Sequence, residues 1–253
     1  MHIRLHFSHL VSAMRTGRVV SEPDLLVVDS GLPCDTFNAV ACAHLRPERI
    51  DARIESVIQS FERRPFSWWL GPDDRPGNLS ARLAAAGLSD VEVETAMRLD
   101  LTERTPTVAP ATGFSIHRVT TPTELAHFAA IIAANWSPPD EQVIRFYEQT
   151  AAGALQSDCP LRFFLGYSED EPVATCELTI APDGVAGLYS VSTLAAFRGR
   201  GFGSSMTSHA LAVGRDLGMR AAALQASSQG LGIYERLGFR RVGEFHEFKP
   251  PSN

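Results

Sequence analysis

The stretch of this sequence most suggestive of chemistry is "FRGRGFGSSM", residues 197–206. Glycines occupy every second position from Gly199 to Gly203, and Arg198 and Arg200 precede the first two of them. An apolar pattern with helical spacing follows directly. The first N–H groups of a helix lack partners within the helix, and the helix dipole favours an anion beside them. The pattern therefore predicts a phosphate-binding loop at the start of a helix.

Two well-known phosphate loops do not fit this spacing. A dinucleotide-binding fingerprint needs G-x-G-x-x-G within a βαβ unit, whereas the run from Gly199 reads G-x-G-x-G-S and follows strands joined by short turns. A Walker loop needs Gly-Lys-Ser/Thr, which the sequence lacks. We therefore expect a different phosphate-bearing ligand.

The elements around this loop predict a mixed α/β (α+β) fold, with a central sheet and flanking helices. After residue 113 the apolar periodicity indicates the order β-α-α-β-β-β-α-β-α-β. Thr121, Pro122 and Glu124 form a capping-box pattern at the first of these helices. The Thr-, Pro- and Ala-rich run before them is typical of a linker. We predict lobes over residues 1–103 and 114–253, joined by a linker over residues 104–113.

Charge and composition exclude several classes of protein. A net charge of −6 argues against a nucleic-acid partner, and no apolar run approaches the length of a membrane span. We find no signal-peptide pattern, and the four cysteines are scattered without a C-x-x-C pair, which favours a reducing, cytoplasmic location. The single lysine, Lys249, lies near the end of the sequence, which argues against Schiff-base chemistry.

The first half of the sequence resembles a degenerate copy of the second. Aligning Gly87 with Gly238 places "RPERID", residues 46–51, close to "RGRGFG", residues 198–203. The first copy has lost the glycines and carries Pro47, which has no N–H to donate. We expect Asp51 to place a carboxylate where a phosphate would sit. Leu83 stands at the position of Tyr234. An internal duplication is the interpretation we favour, although two α/β segments can also agree by chance.

The second half resembles the GNAT superfamily of acyl-CoA-dependent N-acyltransferases. The resemblance spans roughly residues 114–249 and rests on "VSTLAAFRGRGFGSSM", "LQASSQGLGIYERLGF" and the order of the elements. The first half resembles the degenerate lobe of tandem members of this family. The resemblance implies the GNAT fold in two tandem lobes, with acetyl-CoA as co-substrate and no metal.

The family pattern also implies a set of site residues. Its fourth and fifth strands separate, and the pantetheine arm lies between them. On the fourth strand the matching residues are Val191, Ser192 and Thr193, and the N–H of Val191 would stabilise the oxyanion. Tyr234 matches the residue that protonates the leaving thiolate, although its spacing from Leu231 and Leu237 also suits a core stripe. The pyrophosphate would be held by Arg198, Gly199, Arg200, Gly201, Phe202, Gly203 and Ser204.

A general base is harder to assign. The predicted fourth strand, "GLYSVST", contains no carboxylate, and Glu177 on the preceding strand is the nearest one. Glu177 is either the base or a solvated strand residue, and a chain of water molecules could replace it.

Two further groups of residues allow more than one interpretation. His2, His6 and His9 have helical spacing that suits metal ligands, but we favour a solvated helix face near a frayed end of the sequence. Trp68 and Trp69 point to opposite faces of a strand, so one could line an acceptor pocket while the other fills a core.

Two functions follow from these residues. The first is an N-acetyltransferase that moves the acetyl group of acetyl-CoA to an amine of a small molecule or to an amino terminus, acting as a monomer or homodimer. The second is a non-catalytic acyl-CoA sensor, which the missing fourth-strand carboxylate favours.

Overall fold

One eleven-stranded sheet runs through the computed structural model, which describes residues 2–103 and 111–251. The strands of the first half are β1 (Arg18–Ser21), β2 (Leu26–Asp29), β3 (Ala39–Ala41), β4 (Ser67–Leu70) and β5 (Ser89–Asp100). Those of the second half are β6 (Phe114–Arg118), β7 (Leu161–Ser168), β8 (Glu171–Ile180), β9 (Val185–Thr193), β10 (Ala221–Ala226) and β11 (Arg240–Lys249). Their order across the sheet is β1-β2-β3-β4-β11-β5-β10-β9-β8-β7-β6.

Helices cover both faces of this sheet. They are α1 (His2–Ser12), α2 (Ile50–Ser60), α3 (Leu79–Ala85), α4 (Pro122–Ala133), α5 (Glu141–Ala154), α6 (Phe202–Asp216) and α7 (Leu231–Arg236). Beyond residue 113 the order of strands and helices is the predicted one. The capping box at α4 is also confirmed, because Thr121 Oγ1 accepts from the N–H of Glu124 and the Glu124 carboxylate accepts from the N–H of Thr121. Residues 104–110 of the predicted linker lie outside the described residues.

The two halves exchange their last strands. β5, from the first half, pairs antiparallel with β10, while β11, from the second half, pairs antiparallel with β4. β5 and β11 also pair with each other at the centre of the sheet. Each half therefore completes its sheet with a strand supplied by the other, and neither is a closed unit in this structure.

Three apolar cores result from this arrangement. One packs α1, α4 and α5 against β7, and a second packs α6 and α7 against β8, β9 and β10. The third lies in the first half and includes Trp68, which is fully buried, together with Phe248 from the exchanged strand β11. Phe248 therefore joins the last strand of the sequence to the core of the first half.

The exchange predicts that the two halves unfold together. Phe248→Ala removes a side chain that is 1% exposed, and we expect it to lower the free energy of unfolding by about 3–5 kcal/mol. Tryptophan fluorescence, dominated by Trp68 and Trp69, and circular dichroism should report one shared transition. Val242→Ala on the same strand is the control, because Val242 is 56% exposed and its loss should change stability by less than about 0.5 kcal/mol. Two separate transitions in the Phe248 variant would contradict this prediction.

Candidate active site

The candidate site begins where β9 and β10 stop pairing. Their parallel ladder joins Val185–Gly187 to residues 221–223, whereas β9 continues to Thr193 and β10 to Ala226. Backbone groups beyond the last pair must find other partners, such as water or a ligand. The separation of the fourth and fifth strands, expected from the family resemblance, is present in the structure.

A β-bulge shapes the free end of β9. Thr175 pairs with Ser192 and Glu177 pairs with Tyr189, so two residues, Ser190 and Val191, lie opposite one residue of β8. Ser190 has a φ of 51°, in the left-handed region, and its carbonyl accepts from Thr175 Oγ1 at 2.7 Å. A bulge re-aims the backbone, and here it does so immediately before the residues that border the gap.

A cleft of about 510 Å³ occupies this gap. The structure brings most of the predicted site residues together in its wall, namely Val191, Ser192, Thr193, Arg198, Gly199, Gly201, Phe202, Gly203, Ser204 and Tyr234. Arg200 and Glu177 do not line it. Within the wall, Phe202 is almost fully buried and stacks on Phe114, so it also anchors the loop to the core.

The glycine loop has the geometry of an anion cradle. Gly199 and Gly201 have φ angles of 79° and 83°, which side chains other than glycine adopt at a cost. A Cβ placed on either would meet no atom within 4 Å, so the space that the glycines leave is open. Gly201 is the N-cap of α6. The unpaired N–H groups of the first turn of α6 therefore begin at an open concave surface, as phosphate binding requires.

The two loop arginines differ in position. Arg198 borders the cleft, where its Nε donates to the carbonyl of Thr193 at 2.9 Å. Arg200 folds back instead, with its guanidinium 5.0 Å from the centre of the Phe197 ring. Arg198 is therefore the arginine already placed for a ligand in this cleft.

Tyr234 lies in the cleft wall and is 8% exposed. Its ring packs edge-on against Phe239, so the core-stripe interpretation is also correct for part of the side chain. Burial raises the pKa of the Tyr234 hydroxyl above its usual value, which keeps it protonated at neutral pH. A protonated hydroxyl at this position can donate a proton, and it is a poor nucleophile.

Glu177 is buried, so its interpretation as a solvated strand residue is wrong. It is 2% exposed, and its Oε1 accepts from Thr179 Oγ1 at 3.0 Å and contacts His6 Nδ1 at 2.8 Å. The expectation of a solvated histidine face is likewise wrong for His2 and His6. α1 packs on β8 and β9 rather than fraying, and His2 Nδ1 lies 2.7 Å from the hydroxyl of Tyr189.

A second, larger cavity of about 610 Å³ lies between the two halves. Trp69 lines it, while Trp68 is buried in the first-half core, so the two tryptophans face opposite ways as predicted. Phe245, Asp73, Asp74 and Gln225 also border this cavity. Burial raises the pKa of Asp74 to about 6. The chain thus has a mainly apolar cavity with carboxylates at its wall.

The corresponding first-half loop, residues 46–51, does not have the geometry of the glycine cradle. Residues 47–49 form a short 3-10 turn that continues directly into α2, and neither Pro47 nor Arg49, which stand at the positions of Gly199 and Gly201, has the left-handed conformation of those glycines. The nearby cleft is lined by Glu22 and Asp24 together with arginines. The Asp51 carboxylate accepts from Arg82 Nη1 at 2.9 Å and does not line that cleft, so its place at a phosphate position stays a prediction.

Sequence reasoning missed several residues of the cleft wall. Asn135 follows α4, and its side-chain oxygen accepts from Ser192 Oγ at 3.1 Å and from Arg198 Nη2 at 3.4 Å. Arg236 of α7 and Gln229, in the turn before α7, also border the cleft. Asn135 is distant in sequence from the loop, so no local pattern indicates it, whereas Arg236 belongs to the "YERLGF" motif and could have been considered.

The described residues 2–103 and 111–251 contain neither a metal-binding cluster nor a membrane-spanning helix. No group of three or more His, Cys, Asp or Glu side chains there could hold a metal ion. In the same residues, no helix combines the length and the apolar character needed to cross a membrane.

A model of a known protein family matches part of the chain. Residues 125–239 match the model described as "Acetyltransferase (GNAT) family". The matched segment holds the glycine loop, the bulge and Tyr234, so the chain carries a domain of the GNAT acetyltransferase family. Among curated proteins, no match was found.

Three solved structures resemble the whole chain in fold. A GCN5-related N-acetyltransferase from Kribbella flavida is 21% identical, with a TM-score of 0.74 over 99% of this chain and 95% of its own. One from Sphaerobacter thermophilus is 16% identical, with a TM-score of 0.62 over 91% and 82%. A tandem GNAT protein from the clavulanic acid biosynthesis pathway is also 16% identical, with a TM-score of 0.59 over 90% and 79%.

The cradle geometry predicts a specific effect at Gly201. Gly201→Ala should weaken acetyl-CoA binding at least about tenfold, or about 1.4 kcal/mol, because the loop must leave the φ that orients its N–H groups. Calorimetric titration measures this. Gly218→Ala is the matched control, since Gly218 has a similar φ of 80° and equally open surroundings but lies outside the cleft. We expect the two variants to lose the same amount of stability, and only Gly201→Ala to bind acetyl-CoA more weakly. Equal acetyl-CoA affinities of the two variants would contradict the assignment of the loop as the phosphate site.

Proposed function

We propose that the chain is an N-acetyltransferase that moves the acetyl group of acetyl-CoA to an amine of a small molecule or to an amino terminus. The observation that carries this proposal is the cleft between β9 and β10, in which the glycine loop, the bulge at Ser190–Val191 and Tyr234 border one space. The loop supplies N–H groups for a pyrophosphate, and β9 supplies backbone groups for the pantetheine arm. The N–H of Val191 would stabilise the oxyanion, and Tyr234 would protonate the leaving thiolate.

The larger cavity supports a location for the acceptor. On the β10 side, Gln225 borders the cavity and Ser227, just beyond the strand, borders the cleft. On the β9 side, Tyr189 contacts His2 in the cavity wall, and Val191 borders the cleft. The two spaces therefore flank the same gap. Trp69 and Phe245 offer aromatic surface, and Asp74 offers a carboxylate, to an amine entering from that side. We propose that this cavity holds the acceptor.

We further propose that the first half is a duplicated GNAT lobe that no longer binds acetyl-CoA. Its loop lacks the glycine cradle, Leu83 is fully buried at the position of Tyr234, and Glu22 at the corresponding cleft is paired with Arg53. The four free cysteines support a reducing, cytoplasmic location.

A non-catalytic acyl-CoA sensor is the second candidate. Among the described residues that line the cleft there is no Asp, Glu or His side chain, so a base must come from outside its wall. Thiol release separates the two functions. Acetyl-CoA is mixed with tyramine, spermidine, glucosamine or alanyl-alanine, and free coenzyme A is followed with a thiol reagent. The enzyme should release thiol with at least one amine, and saturable binding without release would favour the sensor.

The general-acid role predicts a separation of turnover from affinity. Tyr234→Phe removes the hydroxyl but keeps the ring, so kcat should fall about 10²-fold while acetyl-CoA affinity stays within about twofold. Tyr167→Phe is the control, because Tyr167 lies on β7 away from the cleft. A variant with unchanged kcat and weaker acetyl-CoA binding would show that Tyr234 is a binding residue.

The loss of the first-half cradle predicts one acetyl-CoA per chain. Titration of acetyl-CoA into monodisperse protein should give a stoichiometry near one, because only the second half retains the glycine loop. In the Gly201→Ala variant this single event should be weakened at least about tenfold. A stoichiometry near two, or a residual tight event in that variant, would contradict the prediction.

A further inference from the structure

The buried carboxylate of Glu177 is bound by a helix from the other end of the sequence. Oε1 of Glu177 lies 2.8 Å from His6 Nδ1 and 3.0 Å from Thr179 Oγ1. We assign the His6 proton to Nδ1, because a carboxylate at this distance can only accept a hydrogen bond from it. The neutral ring then has its lone pair at Nε2. The Glu177 side chain is 3% exposed and that of His6 is 22% exposed, so the imidazole is the part of the pair that solvent reaches.

The ring of His6 is held in one orientation. It stacks on Tyr189 with 3.6 Å between ring centres and 4° between ring planes. The ring of Tyr189 occupies the space that a Cβ on Gly187 would need, since that Cβ would lie 2.5 Å from it. The Tyr189 hydroxyl is fixed in turn by His2 Nδ1. A histidine oriented by a carboxylate on one nitrogen is the usual arrangement of a proton acceptor.

The pair lies beside the bulge of β9. Tyr189, under the His6 ring, immediately precedes Ser190 and Val191, the bulged residues next to the cleft. On the other side, His2 borders the large cavity. His6 itself lines neither the cleft nor the cavity. Its connection to the gap is through the stacked ring of Tyr189, on the face of the sheet that carries α1, α4 and α5.

Other ionisable groups near this position are less suitable. Burial lowers the pKa of His2 to about 4, and its Nδ1 is occupied by Tyr189. Burial raises the pKa of both Tyr189 and Tyr147, which face Glu177 from β9 and α5, so both remain protonated. His9, one turn along α1, has a pKa lowered mainly by burial, with Asp158 and Glu177 opposing that shift.

We propose that His6 is the proton acceptor of the transfer reaction and that Glu177 is its positioning residue. This rests on the proposed function. The acceptor ammonium gives a proton, through water, to Nε2 of His6, whose side chain solvent reaches, and Glu177 stabilises the imidazolium that forms. The neutral amine nitrogen bonds to the thioester carbonyl carbon, the carbon–sulfur bond breaks, and the leaving thiolate takes the Tyr234 proton. The second proton that the nitrogen loses as the amide forms restores the Tyr234 hydroxyl. His6 returns its proton to solvent through its exposed edge.

The kinetic test uses His6→Asn, because the asparagine amide can still donate to Glu177 while Nε2 is lost. With an amine that the wild type acetylates, kcat should fall about 10²-fold, and the acid limb of the kcat profile against pH should disappear. Acetyl-CoA affinity and melting temperature should stay near those of the wild type. His9→Asn on the same helix is the control and should keep kcat. Glu177→Gln should reduce kcat, and the double variant should be no slower than His6→Asn, because the two residues act as one unit.

A second measurement does not depend on the acceptor. Long-range ¹H–¹⁵N correlation spectra of the histidine side chains report which imidazole nitrogen carries the proton. We expect the Nδ1–H form for His6 in the wild type and a change of this signal in Glu177→Gln. An Nε2–H form, or a His6→Asn variant with wild-type kcat and pH profile, would overturn the proposal while the acetyltransferase function stands. If the wild type releases no thiol with any of the four amines, the proposed function and this assignment both fail.

Discussion

The end of the β9–β10 ladder is the constraint on which the site depends. After Gly187 and Ala223 the two strands have no common hydrogen bonds, although each remains extended. Unpaired backbone donors and acceptors in a sheet interior are costly unless something else pairs with them. β10 is held on its other side by β5 over its whole length, and β9 is held by β8. The gap is therefore kept open by rigid neighbours, and a ligand with an extended polar arm can pair with it at little cost of reorganisation.

The exchange of last strands gives the gap its rigidity. β5 is twelve residues long because it pairs with β10 at one end and with β11 along most of its length. It belongs to the first half, so the wall that supports β10 exists only when both halves fold together. The first half contributes this strand, a wall of the large cavity and the core that receives Phe248. The first half, whose loop contains no glycine cradle, is thus necessary for the second half.

Local patterns predicted much of the fold and much of the site. The glycine run, the capping box at Thr121 and the alternation of Trp68 and Trp69 each depend on neighbouring residues, and the structure confirms all three features as local structure. No such pattern predicted that β5 and β11 are exchanged between the halves, because the sequence of a strand does not indicate which of two equivalent sheet edges it pairs with. The surroundings of Glu177 were missed for a similar reason: alternation predicted its face of the strand but not the helix that covers that face.

Because the Glu177 carboxylate is buried, hydrogen-bond donors must lie beside it. A carboxylate that is 2% exposed on a central strand needs donors, and Thr179 can supply only one. α4 and α5 occupy the same face of the sheet, but the hydrogen bonds described for Tyr147 of α5 and for Asn135, which follows α4, go to Ser190 and Ser192 rather than to the carboxylate. α1 supplies the missing donor through His6 and, through His2, binds Tyr189 beside it. The helix lies outside the segment that matches the family model, so the family pattern alone does not include the group that satisfies this charge. The buried carboxylate of Glu177, next to the bulge, is therefore bound by α1, so the chemistry proposed for the second half depends on a helix of the first half.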